Sequence, residues 1–219
     1  MPKPRVGGRT ATTPKTNAER RRESEQQHRR QHLLMAAEMV FGRLPYDQAS
    51  MQAVAEEAGI GMKGLYQQFA SKEELLSAVV AFRLGEINER IKAAQQVANP
   101  IARLRHLAVT YSAFFMERPR FFPLFLSQKI EADWDFGSHL ADPVRRGLRQ
   151  VADGLRDTIA AGIDAGQLAP ADAGLLAALA TGFFIHATQY QLLVRRPRSA
   201  EACADELMEL LVNGIGRKA

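Results

Sequence analysis

Side chains that can recognise nucleic-acid bases follow the glycine at position 59. If residues 62–69 form a helix, Leu65 and Phe69 lie one turn apart and point inward. The outward face then carries a flexible apolar chain, a cation and two amides, from Met62, Lys63, Gln67 and Gln68. Lysine can donate to the acceptors of guanine, and glutamine can pair with adenine through two hydrogen bonds. The segment therefore has the chemistry for reading base edges in a DNA groove.

The surrounding segments have the pattern of short helices joined by a tight turn. An apolar stripe predicts a supporting helix over residues 23–42. Ser50 is a favourable N-cap for a short second helix, and Gly59 suits the left-handed backbone of the turn after it. Ser71, with a glutamate three residues later, has the pattern of a capping box for a fourth helix. This arrangement predicts a helix-turn-helix, whose second helix can enter the major groove.

Residues 30–76 resemble the DNA-binding domain of the tetracycline-repressor-like (TetR) family, over about a fifth of the chain. The resemblance rests on Ala36, Ala37, Phe41, Tyr46, Ser50, Met51, Val54, Ala55, Ala58, Gly59, Ile60, Leu65, Tyr66, Phe69, Ser71, Lys72, Glu73, Leu75 and Leu76. It implies that Ser50, Tyr66 and Lys72 contact DNA phosphates and that residues 62–67 meet bases. The expected DNA-contacting set is Ser50, Gln52, Met62, Lys63, Gly64, Tyr66, Gln67 and Lys72. Lys72 also stands at a predicted helix start, where free backbone N–H groups favour an anion.

Three positions depart from the family pattern. Pro45 stands where a glycine is common, Gly61 where a serine often caps the recognition helix, and Gly64 where a threonine often binds phosphate. Glycine can still cap a helix at a cost of a few tenths of a kcal/mol. Inside a helix it is less favourable than alanine by roughly 1 kcal/mol. We therefore hypothesise that the arginines at residues 20–22 supply part of the grip on phosphates.

Positive charge is concentrated in the first third of the chain. Residues 1–72 contain 12 lysines and arginines against 7 acidic residues, whereas residues 73–219 contain 17 of each. A basic module joined to a neutral one is typical of a polyanion-binding head on a body with another task. A basic solubility tail on an ordinary domain is the alternative interpretation. Residues 1–22 contain few large apolar side chains, so we predict a disordered basic arm there.

The rest of the chain has helical periodicity, which predicts an all-α protein of about nine helices. We expect a disordered arm (residues 1–22), a helix-turn-helix domain (23–72) and a helical body (73–219). Within the body we expect helices over residues 101–117, 143–165, 171–195 and 200–214, with a loop over residues 131–142. The resemblance implies a ligand-binding body that forms a homodimer through its last two helices. Two recognition helices would then meet a near-palindromic operator one DNA turn apart.

The body is rich in aromatic residues, most of which suit an ordinary core. Some of them could instead line an apolar pocket with a few polar anchors. The candidates are His106, Phe114, Phe122, Phe125, Trp134, Phe183, His186 and Tyr190, with Gln128 and Gln189 as further anchors. These residues favour a small apolar or aromatic effector. The family mechanism implies a repressor that leaves its operator when the effector stabilises the arrangement that does not bind DNA.

Further patterns in the sequence could indicate other functions. Residues 59–64 spell G-x-G-x-x-G, but no strand precedes them, as dinucleotide binding requires. Glu25, His28 and His32 have a metal-ligand spacing, but the chain has no second Glu-x-x-His motif. The sequence contains neither a nucleophile elbow nor an assignable catalytic triad, as a small helical hydrolase would need. We therefore expect that the protein is not an enzyme and binds no cofactor or metal. A helical scaffold whose basic arm docks on RNA or a membrane is the remaining rival.

Composition also predicts where the protein works. Cys203 is the single cysteine, which excludes an internal disulfide framework. No apolar run reaches the roughly 18 to 20 residues that span a bilayer, and the basic N-terminus lacks the apolar stretch of a secretory signal. These features favour a soluble protein of a reducing cytoplasm with no membrane partner.

Overall fold

The computed structural model describes residues 16–127, 141–194 and 198–213. In these ranges the chain forms nine α-helices and no strand, in agreement with the predicted all-α class. The helices are α1 Asn17–Arg43, α2 Met51–Glu57, α3 Met62–Tyr66, α4 Lys72–Ala94, α5 Pro100–Glu117, α6 Phe121–Ser127, α7 Asp142–Asp164, α8 Ala173–Leu193 and α9 Ala200–Asn213.

The first helix begins earlier than predicted. The Thr16 hydroxyl accepts from the Glu19 backbone N–H at 3.3 Å, and the Glu19 carboxylate accepts from the Thr16 backbone N–H at 2.7 Å. This reciprocal capping box starts α1 at Asn17, so residues 17–22 are helical where we predicted disorder. Residues 1–15 of the predicted arm lie outside the described residues. The disorder prediction relied on missing apolar side chains, whereas local capping decides the structure here.

Helices α1, α2 and α3 form the head of the molecule and enclose its small core. Val40 of α1, Val54 of α2 and Leu65 of α3 are fully buried. Ser50 caps α2 as predicted, because its hydroxyl accepts from the Ala53 backbone N–H at 3.1 Å. Gly59 has a φ of +65°, a left-handed conformation that side chains disfavour. These local features position α3 on the outside of the head.

Helix α4 runs from the head into the body, where it packs closely on α7. A Cβ at Gly147 would lie 2.9 Å from the Cβ of Leu84, so glycine permits this approach of the two helices. The Asn88 amide Nδ2 donates to the Gly147 carbonyl at 3.1 Å in the buried contact. Helix α5 packs against both members of this pair and α8 packs against α7, while α9 lies on α5 and α8 and completes the body.

A cluster of phenylalanine rings fills the body where α5 meets α6. Phe115 stacks on Phe121 with ring centroids 5.8 Å apart and an interplanar angle of 4°. Further rings meet Phe115 edge-on or tilted, from Phe114, Phe122 and Phe125. All five rings are buried, which makes this cluster the aromatic core of the body.

The body helices end within two residues of their predicted boundaries. α7 already begins at Asp142, the last residue of the predicted loop, and residues 131–140 of that loop lie outside the described residues. Over the described part of the chain, no helix has both the length and the apolar composition to cross a membrane.

Candidate nucleic-acid interface

The recognition helix α3 is short and begins without a side-chain cap. Gly61 occupies the N-cap position with no side-chain hydrogen bond, and the helix ends at Tyr66 rather than at the predicted Phe69. Leu65 and Phe69 are nevertheless buried at 0% and 1% exposure, as predicted. The helix is therefore held by its apolar anchors more than by its own hydrogen bonds.

The predicted base-reading side chains share the outer face of the head. Met62, Lys63, Tyr66 and Gln67 are all exposed, Tyr66 to 52%. Among the described residues, Lys63 has no ion pair. The face thus offers a cation, an amide, a phenol and a thioether to a partner, on a helix whose opposite side is buried.

Glycines at two positions of this face leave open space. A Cβ added at Gly61 would meet nothing within 4 Å, and one at Gly64 would meet only the Ile60 side chain at 3.8 Å. Neither backbone has a positive φ. The serine and threonine common at these positions in the family are thus absent here for no steric reason.

The predicted phosphate contacts at the start of α2 and α4 differ in how far they are already engaged. The Ser50 hydroxyl accepts the cap hydrogen bond of α2 and keeps its own proton free to donate. Gln52 is exposed, and its amide donates to the Glu56 carboxylate at 3.0 Å. The Lys72 Nζ donates to the carbonyl oxygens of Tyr46 at 2.7 Å and Ala49 at 3.0 Å. Lys72 therefore has a structural role in the head beside the predicted phosphate contact.

Tyr46 joins Lys72 in a small polar cluster beside the N-terminus of α4. The Lys72 Nζ lies 4.2 Å from the centre of the Tyr46 ring, and the Tyr46 hydroxyl donates to the Glu73 carboxylate at 3.0 Å. Partial burial, the hydrogen bond to Glu73 and the negative charge of Glu73 raise the pKa of Tyr46 to about 12. The cluster fixes the loop between α1 and α2 against α4.

Sequence reasoning missed Arg30, which extends the basic surface beside α3. Its guanidinium lies 4.5 Å from the centre of the Phe69 ring, just after the recognition helix. Arg30 precedes Leu33, the first buried residue of α1, by three positions. That spacing places Arg30 on the buried stripe of the helix and could have marked it.

The predicted ligand residues do not form one site. Phe114, Phe122 and Phe125 belong to the buried aromatic core, whereas Phe183, His186 and Tyr190 are exposed on α8. His106 and Gln189 are also exposed, and Trp134 and Gln128 lie outside the described residues. The number of aromatic residues in a helix does not tell which of them face the core and which face solvent. The prediction of one pocket therefore joined buried residues of the aromatic core with exposed residues of α8.

A cavity of about 430 Å³ lies between the C-terminal half of α8 and the middle of α9. Its lining includes Phe183, Tyr190, Arg198, Cys203 and Leu207. Arg198 also forms an ion pair with Glu206 at the edge of the cavity. Burial raises the pKa of the Cys203 thiol, which keeps this side chain protonated. The cavity shares Phe183 and Tyr190 with the exposed apolar face of α8, so it is part of that outer surface.

Residues 33–79 match the family model described as bacterial regulatory proteins, tetR family. The matched segment contains the second part of α1, all of α2 and α3, and the start of α4. The family model thus covers the helix-turn-helix segment, which is the part of the chain whose sequence resembles the TetR family. Comparison with curated protein sequences found no match.

Solved structures share the fold of most of the chain, including both the helix-turn-helix segment and the body. The TetR family transcriptional regulator PfmR from Thermus thermophilus is 23% identical, with a TM-score of 0.70 and coverage of 84% of this chain and 99% of that chain. FadR from Bacillus subtilis, in complex with stearoyl-CoA, is 19% identical, with a TM-score of 0.73 and coverage of 85% and 99%. AibR, in complex with isovaleryl coenzyme A and operator DNA, is 20% identical, with a TM-score of 0.68 and coverage of 84% and 98%. At these identities the likeness shows the fold.

Proposed function

We propose that this protein is a ligand-responsive transcriptional regulator that reads duplex DNA with α3. The observation that carries the proposal is the exposed set of Met62, Lys63 and Tyr66 on α3 and Gln67 at its C-cap, on a helix anchored by buried Leu65. A helix of this composition fits the major groove, where Lys63 would donate to guanine and Gln67 would pair with adenine. Ser50 and Tyr66 would contact phosphates on either side and position the helix.

The active form would be a homodimer joined through α8 and α9. Large apolar side chains spaced three, four or seven residues apart are exposed along α8, namely Leu175, Leu179, Phe183, Tyr190 and Leu193. Monomeric proteins rarely expose a continuous apolar stripe of this length. We therefore propose that the same stripe of a second copy buries it in a two-fold interface. A two-fold axis there would present two copies of α3 to a near-palindromic operator.

A small apolar effector would release the protein from DNA, as a repressor requires. Fatty acyl thioesters are the first class to test, because two proteins of the same fold have been solved with stearoyl-CoA and isovaleryl coenzyme A. The acyl chain would enter the body beside the aromatic core of Phe114, Phe122 and Phe125. Such a ligand acts only if it binds the non-operator arrangement more tightly than the operator-bound one.

The proposal is tested by selecting duplexes from a random-sequence pool with the purified protein. We expect a near-palindromic sequence to be enriched, and Lys63→Ala to weaken its binding at least tenfold. The control is Lys92→Ala, which removes an exposed lysine charge from α4 in the body, where Lys92 pairs with Glu89 at 2.6 Å. Stearoyl-CoA and isovaleryl-CoA are then added to the complex, and release is followed by fluorescence anisotropy.

Two outcomes of this experiment would count against the regulator, and a third would count only against the effector class. Binding that depends on salt but selects no sequence would favour a scaffold that docks on polyanions. Equal losses from Lys63→Ala and Lys92→Ala would exclude α3 as the reading element. Release by neither thioester would remove acyl-CoA from the proposal and leave its DNA-reading part to stand on the selection alone.

A further inference from the structure

The N-terminal half of α1 projects beyond the core of the head as a solvent-exposed helix. Every residue from 17 to 32 is exposed, and Leu33 is the first that is buried. At 1.5 Å per residue this extension is about 24 Å long. Burial of an apolar face does not hold it, because it has none to bury. The capping box at Thr16 and the Arg21–Glu25 ion pair at 3.1 Å support it locally.

The arginines of this extension lie on different edges of the helix. A helix repeats its direction after 18 residues, which are five full turns. Arg22 therefore shares a direction with Val40, and Arg20 shares one with Glu38. Arg29 lies seven residues after Arg22, about two turns further along the same edge.

Contacts further along α1 show what each edge faces. Arg43 lies 14 residues, about four turns, after Arg29, and it pairs with Glu57 at the end of α2 at 3.0 Å. The edge of Arg22 and Arg29 is thus the one that faces α2. Glu38 pairs with Arg83 of α4 at 2.6 Å, so the edge of Arg20 faces the body.

Charge on the α2-facing edge is free to meet a partner. Arg22 and Arg29 form no ion pair with any described residue. Arg21, in contrast, is paired with Glu25 and points nearly opposite to the buried Ala37, which lies 16 residues away. In a helix-turn-helix the first helix of the pair crosses the phosphate backbone, so cations beside α2 are on the side that the backbone occupies.

We propose that Arg22 and Arg29 bind phosphates of the same duplex that α3 reads, and that Arg20 and Arg21 do not. The inference rests on the proposed function and specifies how the head extends its footprint along the DNA. A helical extension carries its charges at a fixed spacing, whereas a disordered arm would let all three arginines of residues 20–22 contribute alike. Arg30, beside Phe69, connects this edge to the end of the recognition helix.

The test compares two charge-matched double variants of the full chain, Arg22→Gln/Arg29→Gln and Arg20→Gln/Arg21→Gln. All four positions are exposed, so both variants are expected to fold, which circular dichroism and the unfolding midpoint verify. Affinity is measured from 0.05 to 0.5 M KCl for the duplex selected by the wild-type protein and for a random duplex of equal length. Each lost phosphate contact lowers the slope of log K against log salt by about 0.9.

For Arg22→Gln/Arg29→Gln we expect the slope to fall by about 1.8 per bound chain, on both duplexes alike. If the affinities converge at 1 M salt, that slope corresponds to a loss of roughly 60-fold at 0.1 M. The Arg20→Gln/Arg21→Gln protein should keep the wild-type slope. Equal effects of the two variants, or no effect of the first, would overturn the inference. If the wild-type protein selects no sequence at all, it is the proposed function that fails. If it selects a sequence but the two variants behave alike, only the inference about Arg22 and Arg29 fails.

Discussion

Lys72 and Tyr46 connect the loop before α2 to the start of α4. The Lys72 ammonium group donates to two backbone carbonyls and lies over the Tyr46 ring, whose hydroxyl donates to Glu73. An ammonium group has three N–H donors, so one remains for a phosphate. The lysine can thus both set the distance between two elements and present a positive charge to the DNA backbone.

At alkaline pH, Tyr46 should make the stability of the protein depend on pH. The folded-state pKa of about 12 exceeds the ordinary value of 10.0. The unfolded chain therefore releases this proton at lower pH than the folded chain, and the stabilisation present below pH 10 is lost as pH rises towards 12. We predict that Tyr46→Phe flattens this decline, measured as the urea unfolding free energy between pH 8 and pH 11. Parallel curves for the variant and the wild-type protein would show that Tyr46 does not titrate differently in the folded state.

At the scale of elements, the turn and the recognition helix use glycine for opposite reasons. Gly59 needs its left-handed φ of +65°, whereas Gly64 lies in a helix with open space beside it. The first glycine makes the turn possible. The second weakens a helix of only five residues, whose position then depends on buried Leu65.

The same substitution at these two glycines should have effects of opposite sign. Gly59→Ala places a Cβ in a left-handed conformation and is expected to cost about 1–2 kcal/mol of unfolding free energy. Gly64→Ala removes a flexible residue from a helix interior and should stabilise the protein by about 0.5–1 kcal/mol. Thermal and urea unfolding measure both. The interpretation is wrong if the two variants shift stability in the same direction.

Elements with a capping residue and an apolar stripe could be predicted from the sequence. Ser50 and Ser71 cap α2 and α4 as expected, since an N-cap acts through its nearest backbone N–H groups. The capping box predicted at Ser71 is not complete, because the Glu74 carboxylate accepts from the Ala70 backbone N–H at 2.6 Å rather than from that of Ser71. The reading face of α3 followed from the spacing of Leu65 and Phe69. The start of α1 was missed because nothing apolar marks it, although Thr16 and Glu19 carry the capping-box pattern.

The ligand site was harder to predict because it depends on tertiary packing. Phe114 and Phe183 are the same residue type in similar helical surroundings, yet one is fully buried and the other is 45% exposed. That difference arises from which helices meet on which side. One sequence indicates the apolar face of each helix, but it does not indicate which other helix packs against that face.

At the scale of the whole molecule, ion pairs connect the head with the body. Glu38 of α1 pairs with Arg83 of α4, which also pairs with Glu86, both at 2.6 Å. Burial opposes the charge of Arg83, but hydrogen bonds to Glu86 and Glu38 raise its pKa above the ordinary value. Glu86 in turn lies 3.6 Å from Arg118, at the end of α5. A chain of charges thus connects the head to the region of the aromatic core.

A tight contact between Gly42 of α1 and Arg120 predicts how closely head and body fit together. A Cβ at Gly42 would lie 2.7 Å from the Cβ of Arg120 and 3.2 Å from its carbonyl oxygen, in the turn between α5 and α6. Gly42→Ala should therefore cost about 1–3 kcal/mol, because backbone must shift to admit the methyl group. Gly85→Ala is the control, since open space surrounds that glycine within α4 and alanine should stabilise the helix. A neutral Gly42→Ala would mean that head and body are not closely fitted here.

The proposed dimer reads duplex DNA with the side chains of α3 and of Gln67 at its C-cap. The most direct test is a duplex selection carried out in parallel with the wild-type protein, Gln67→Ala and Gln96→Ala. Gln96 is an exposed glutamine beyond the end of α4 and serves as the matched control. We expect a palindromic consensus for the wild-type protein and for Gln96→Ala. For Gln67→Ala we expect relaxed base preference at one position, repeated symmetrically in both half-sites. An unchanged consensus for Gln67→Ala, or a consensus without two-fold symmetry, would contradict the proposal.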